Sequence, residues 1–129
     1  MEKVTIIIPN YNGKKFMEGC MAALEGQAGL DFKVLLVDNG SADGSLEYIR
    51  EHYPELEVIA LDKNYGFSRA VNEGIRAAET PYVILLNNDT KVRPGYVAAL
   101  VRMMDEHPEA FSASARTVSY THLDVYKRQ

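Results

Sequence analysis

Short apolar runs alternate along the chain with stretches whose apolar residues recur at helical spacing. Val4-Thr5-Ile6-Ile7-Ile8 is rich in β-branched side chains and ends at Pro9, which removes a backbone donor and stops a strand. Met17, Cys20, Met21 and Leu24 then fall at i, i+3, i+4 and i+7, one face of a helix. Val34 to Val37 predicts a second strand, closing at Asp38. Ser45 to Tyr53 predicts a helix with Leu46, Ile49 and Tyr53 inward and Pro54 just past its end. Leu56 to Leu61 predicts a third strand. Phe67, Ala70, Val71, Gly74, Ile75 and Ala78 form the cleanest helical stripe. Tyr82 to Leu86 predicts a fourth strand, and Val97, Leu100, Val101 and Met104 line a last helix between Pro94-Gly95 and His107-Pro108. The predicted order is βαβαβαβα.

Strands that are apolar throughout, rather than alternating, belong to a mostly parallel sheet covered by helices on both faces. Such sheets bind ligands outside the carboxyl ends of their strands. The special polar residues should therefore follow strands rather than precede them. The α/β pattern fills residues 1–111. From 112 to 129 no period is sustained, which predicts an irregular tail. Residues 118–129 resemble an adapter-derived sequence and are set aside from functional reasoning as non-native.

Composition narrows the class. With 47% hydrophobic and 25% charged residues, the chain has the make-up of a globular domain. Its 129 residues suit one domain with a real core. A formal net charge of −4 argues against a basic nucleic-acid surface. The single cysteine, Cys20, excludes an intrachain disulfide and a Cys-rich zinc site, and its place on an apolar helix face reads as core. The chain shows neither the h-region of a signal peptide nor an apolar run long enough to span a membrane, so a reducing, cytoplasmic setting is expected.

The four predicted strands are each followed by a polar cluster: Pro9-Asn10-Tyr11-Asn12-Gly13, Asp38 to Ser45, Asp62-Lys63-Asn64-Tyr65-Gly66, and Asn87-Asn88-Asp89-Thr90. Together, on one sheet edge, they outline a polar ligand site. Asp38 can accept the ring N–H of a pyrimidine base, or it can bond the N–H groups of its own turn, Asn39 to Ser41. Asp43 stands where a helix N-cap is expected. Asn64-Tyr65-Gly66 suits either a tight turn or an anion site at a helix start. Arg69, in the first turn that follows, can reach a phosphate or lie solvated. Asn72 lies close to the inward face of the stripe, where a polar side chain needs a partner, and Gly74 allows close helix–sheet approach. Asp89 can serve a Mg²⁺ or Mn²⁺ ion together with diphosphate oxygens, or hold its own turn.

In this order and spacing, Val4 to Gly13, Val37 to Ser41, Asn64 to Ile75 and Leu85 to Thr90 resemble family 2 glycosyltransferases of the GT-A fold, nearest to a rhamnosyltransferase-like branch. The resemblance covers about residues 3 to 110. It implies a GT-A (Rossmann-like) sheet, incomplete at its C-terminal end, and inverting transfer of a sugar from a UDP- or dTDP-linked donor to an acceptor it does not identify. Pro9, Tyr11 and Asn12 would line the nucleoside pocket, Asp38 would accept the base N–H, and Asn39 and Ser41 would shape that loop. Asn64 and Gly66 would frame the cleft, with Arg69 and Asn72 beside it. Asn87-Asn88-Asp89 would replace the Asp-X-Asp motif, with Asn87 near the ribose and Asp89 on the divalent metal.

Two departures stand out: Asn87 replaces the first Asp of that motif, and Val71 stands where many relatives have Arg. In relatives the catalytic base comes from a later segment, so it is expected beyond residue 129. Asp105, Glu106 and Glu109 read as the solvated face of the last helix, and the chain is expected to carry the donor-binding part only. Two other readings are weaker on their motifs. A receiver-like module needs an acidic pair after the first strand, and a sugar nucleotidyltransferase needs a Gly-rich basic loop there. Pro9-Asn10-Tyr11-Asn12 carries no acid, and Asn12-Gly13-Lys14-Lys15 is a poor match to the Gly-rich loop.

Overall fold

A computed structural model describes residues 2–27, 31–89 and 91–109, and the backbone of 112–114 and 123–127. The elements are β1 (Val4–Asn10), α1 (Lys14–Glu25), β2 (Phe32–Asp38), α2 (Ser45–His52), β3 (Glu57–Ala60), α3 (Phe67–Ala77), β4 (Tyr82–Leu86), α4 (Tyr96–Glu106), β5 (Ser112–Ser114) and β6 (Leu123–Lys127). The βαβαβαβα order read from the sequence is borne out through α4. The sheet runs β3-β2-β1-β4-β6-β5, with β1 to β4 mutually parallel and β6 antiparallel to both of its neighbours, β4 and β5.

Alternation along β1 sends its side chains into two cores. Val4, Ile6 and Ile8 pack with Met17, Cys20, Met21 and Leu24 of α1, Ile49 of α2, and Val97, Leu100, Val101 and Met104 of α4. Ile7 packs on the opposite face with Leu35, Val37, Val83, Ala70 and Ala78. Helix α3 thus covers one face, which explains why β1 is apolar at nearly every position. Each such buried Ile or Leu contributes roughly 1.5–3 kcal/mol. The ion pair of Lys3 with Asp105, 2.5 Å long but partly exposed, contributes at most about 1 kcal/mol. Packing therefore determines the architecture.

Gly74 fulfils its expected role, since a Cβ there would lie 2.6 Å from Ile7 Cγ2. Asn72, expected near the inward face, is exposed. It sits one residue from Val71 and two from Gly74, and at about 100° per residue both steps carry it to the far side of the stripe. Phe67 is the second correction: at 57% exposure it is not a core residue. As the first residue of α3 it lies at the carboxyl edge of the sheet, where the hydrophobic cover ends.

Asp105 is exposed, as read from the sequence, but it is also tied to the sheet. It accepts from Lys3 Nζ and from Tyr82 Oη at 2.6 Å, joining α4 to the starts of β1 and β4. That bond, with burial second, pushes the Tyr82 phenol up to about 12. The segment expected to be irregular from 112 contains two strands, and β6 pairs with β4 in the register Ile84↔Val125. The free edge of β4 offers unpaired N–H and C=O groups, and a five-residue run without Gly or Pro can satisfy them.

Candidate functional site

The strand order reverses at β1. From β1 the chain builds outward through β2 and β3, then crosses back so that β4 lies on the other side of β1. The crevice at such a switch point, outside the carboxyl ends of the strands, is where open α/β sheets hold ligands. Register brings polar residues there. Asn10 is aligned with Asp38 across β1 and β2. Ile7 is aligned with Leu85 across β1 and β4, so Asn10 and Asn88, three residues further along, come level.

Their side chains form one network. Asn10 Nδ2 donates to Asp38 Oδ1 at 2.9 Å and to Ser41 Oγ at 3.3 Å, while Asn10 Oδ1 accepts from Asn88 Nδ2 at 2.6 Å. Asp38 Oδ2 accepts from the Ser41 N–H at 3.1 Å, so the turn reading of Asp38 is realised. Asn12 takes up a positive φ of 52° and joins the same turn: its N–H donates to Ser41 Oγ and its Oδ1 accepts from the Ala42 N–H. Asn39 Nδ2 donates to Asn64 Oδ1 at 2.9 Å and to the Gly66 carbonyl, and its Oδ1 accepts from the Tyr65 N–H. The loops after β1, β2, β3 and β4 are thus linked side chain to side chain.

Above this floor lies a cavity of about 250 Å³. Pro9, Asn10 and Tyr11 line one side, and Asn39, Asn64, Gly66 and Phe67 the other. Tyr11 is 50% exposed, so two aromatic faces stand beside the cavity unburied. Five of the residues expected in the site meet here: Pro9, Tyr11, Asn39, Asn64 and Gly66. Asn12, Asp38, Ser41 and Asn88 are tied to it through hydrogen bonds. Asn10 and Phe67 were missed. The signal for Asn10 is a strongly polar residue on the last position of a buried strand, and for Phe67 it is an aromatic on the first turn after a Gly.

The remaining expected residues lie further out. Asp89 is exposed and lines a different cavity, about 420 Å³, with Asn88, Lys91 and residues of α1 including Lys15 and Phe16. Asn87 is half-buried at the end of β4 and lines neither cavity. The Arg69 guanidinium stacks over the Tyr65 ring at 4.9 Å and pairs with Glu73 at 3.1 Å, a held surface side chain at the start of α3. Asn72 is exposed one turn further along the same helix. Cys20 is buried; burial first, and the Asp89 charge second, push its thiol up to about 12, which excludes a thiolate nucleophile.

Asp43 does not cap α2 in the expected way, because Gly44 holds the N-cap position with φ 86° and makes no side-chain bond. Asp43 instead joins two helix starts: it accepts from the Lys14 N–H at the start of α1 and from the Ser45 N–H and hydroxyl at the start of α2. Burial opposes its ionisation, but these bonds outweigh it and hold the carboxyl below its ordinary value of 3.8. A depressed carboxylate contributes stability above its unfolded value and loses it as pH falls through the folded one. We predict that Asp43→Asn, which keeps one acceptor oxygen where the carboxylate uses two, costs about 1 kcal/mol near neutral pH, the usual worth of one hydrogen bond. In urea titrations the gap from the parent chain should close as pH drops below 3.8; a gap that is constant with pH would refute the capping role.

The family model described as "Glycosyl transferase family 2" matches residues 5–129. A teichoic acid poly(glycerol phosphate) polymerase of Staphylococcus epidermidis is 33% identical over 71% of the chain, which spans 13% of that protein. A mannosyltransferase of Pyrobaculum calidifontis, solved with GDP-Man and Mn²⁺, superposes with a TM-score of 0.82 at 21% identity, over 98% of this chain and 44% of that one. S. aureus TarS, solved with UDP-GlcNAc, gives a TM-score of 0.76 at 23% identity, over 92% of this chain and 37% of that one. The two structures establish the shared GT-A fold, and the chain spans less than half of each of these three proteins.

Proposed function

Because this chain belongs to glycosyl transferase family 2, we propose that it forms the donor-binding part of an enzyme that transfers a sugar, with inversion, from a UDP- or dTDP-linked donor. The observation that carries this reading is the Asn88–Asn10–Asp38 chain across the switch point, beneath a 250 Å³ cavity flanked by exposed Tyr11 and Phe67. An aromatic face suits a base, and a carboxylate suits the imide N–H that uracil and thymine offer. Asp38 is only 2% exposed, so it acts from the floor of the site. Asn12, Ser41, Asn39, Asn64 and Gly66 hold the loops in which a nucleoside would sit.

Among the described residues no group of three or more His, Cys, Asp or Glu stands together to hold a metal. Asp89 fits a hard cation, as an exposed carboxylate beside the Asn88 end of the network, and Glu18 of α1 is the other carboxylate lining that cavity. A Mg²⁺ or Mn²⁺ there would take its other oxygens from diphosphate and water. When bound, such an ion offsets charge on the departing diphosphate. Asn87 at the ribose and Arg69 and Asn72 toward the diphosphate belong to the same proposal. No catalytic base is proposed within the chain.

The acceptor class is a cell-wall or other polysaccharide, a reading supported by the polymerase relative. No helix among the described residues is long and apolar enough to cross a membrane. A cytoplasmic setting, free or on the inner face of the membrane, completes the proposal. Isothermal titration of the chain with UDP- and dTDP-sugars in the presence of Mn²⁺ tests it. Saturable binding with no sugar released is expected, and a folded chain that binds neither donor would overturn the reading.

A further inference from the structure

We propose that Asn10 is a positioning residue: it sets the Asp38 carboxylate and the Asn88–Asp89 turn relative to each other, so that a nucleoside diphosphate and a divalent cation bind as one unit. This rests on the donor-binding reading above. Asn10 is 1% exposed, and a buried amide is costly unless all its groups are used. Here they are. Two donor bonds go to the β2 side, to Asp38 and Ser41, and one acceptor bond comes from the β4 side, from Asn88. The orientation of the amide is dictated, since an ionised carboxylate only accepts and must face Nδ2. Among side chains of this size only the amide offers two donor hydrogens at one end and an acceptor at the other: a Thr hydroxyl has a single donor, an aliphatic residue has none, and Asp would set a second carboxylate against Asp38.

Gly13 supplies independent support. A Cβ on Gly13 would lie 2.0 Å from Asn88 Nδ2 and 2.5 Å from Asn10 Oδ1. The missing side chain is the space in which the bridge runs. Gly13 has a negative φ of −106°, so conformational freedom is not what the position requires. The two residues separate the functions of the amide. Gly13→Ala presses on both atoms of the Asn88–Asn10 bond and cuts the β4 arm first, while the Nδ2 end of the amide, which faces Asp38, lies outside its three nearest contacts. Asn10→Ala cuts both arms.

The test titrates the chain with uridine, and with UDP with and without Mn²⁺, at a temperature where circular dichroism shows each variant folded. Gly13→Ala should keep more of its uridine affinity than Asn10→Ala does, and lose about tenfold of the affinity that Mn²⁺ adds for UDP. Asn10→Ala should lose about tenfold in both. A merely structural role would lower the melting temperature and leave both affinities of the folded chain unchanged, which would overturn the proposal. A Gly13→Ala chain that keeps the full Mn²⁺ gain would overturn it as well.

If the parent chain binds neither uridine nor UDP, the donor reading fails separately, and amide hydrogen exchange then decides the positioning role without a ligand. In Asn10→Ala, exchange should accelerate at Asn39–Ser41 and at Asn88–Asp89 together, with the amides of Leu35–Val37 unchanged. Acceleration at only one of the two turns, or at neither, refutes the bridge.

Discussion

Gly40→Ala is expected to destabilise the chain by about 3 kcal/mol, read as a lower urea midpoint with an unchanged slope. Two costs coincide. Gly40 has a φ of +75°, where a Cβ costs roughly 1–2 kcal/mol. That Cβ would also lie 2.5 Å from the Cα and carbonyl carbon of Lys63, and backbone cannot rotate aside as a side chain can. Gly95 provides the control. Its φ is +81°, but a Cβ there meets nothing within 4 Å, so Gly95→Ala should show the conformational cost alone. Equal losses in the two variants would show that the Gly40–Lys63 contact carries no energy. The position also bears on the proposed donor site, because Lys63 precedes Asn64, which is bonded to Asn39 beside the cavity. A displaced 63–64 backbone should weaken nucleotide binding by the part of Gly40→Ala that remains folded.

This close approach illustrates what the sequence can and cannot show. The β-branched run of β1 and the four-residue stripe of α1 specify their elements directly, since period and burial are consequences of one another. The switch-point site was legible in outline for the same reason: polar residues after buried strands must gather on one edge of a parallel sheet. What stayed hidden was which polar residue faces which. Asn10 sits in the same motif as Tyr11 and Asn12, and only the alignment of β1 with both β2 and β4 singles it out.

Phe67 and Asn72 were misplaced by a shared assumption, that a stripe keeps its meaning from the first residue of a helix to the last. Phe67 is on the stripe but beyond the sheet's edge, and Asn72 is between stripe residues in sequence yet opposite them in angle. Asp43 was recognised as a capping residue, but its second partner, the Lys14 N–H, lies 29 residues away and has no local signature. The strands in the 112–129 segment follow from the open edge of β4, a property of the folded sheet rather than of the segment.

Asp89→Asn should abolish the effect of Mn²⁺ on UDP affinity while leaving the fold intact. Its carboxylate is exposed and receives no hydrogen bond from the described residues, so an isosteric amide removes charge and little else. Asn88, by contrast, is committed to Asn10 at 2.6 Å, and Asn87 is uncharged, so neither replaces a lost carboxylate on a hard cation. With one protein carboxylate assigned to the ion, the gain from Mn²⁺ in the parent chain should be modest, about 10- to 100-fold, which is roughly 1.4–2.8 kcal/mol. In the variant, titrations with and without Mn²⁺ should superimpose, and the melting curve should match the parent's. Thermal coincidence makes the result diagnostic, because an affinity change without a stability change cannot come from loosened packing. A variant that keeps the full Mn²⁺ gain would remove Asp89 from the metal and shift that role to residues beyond the four strand ends described here.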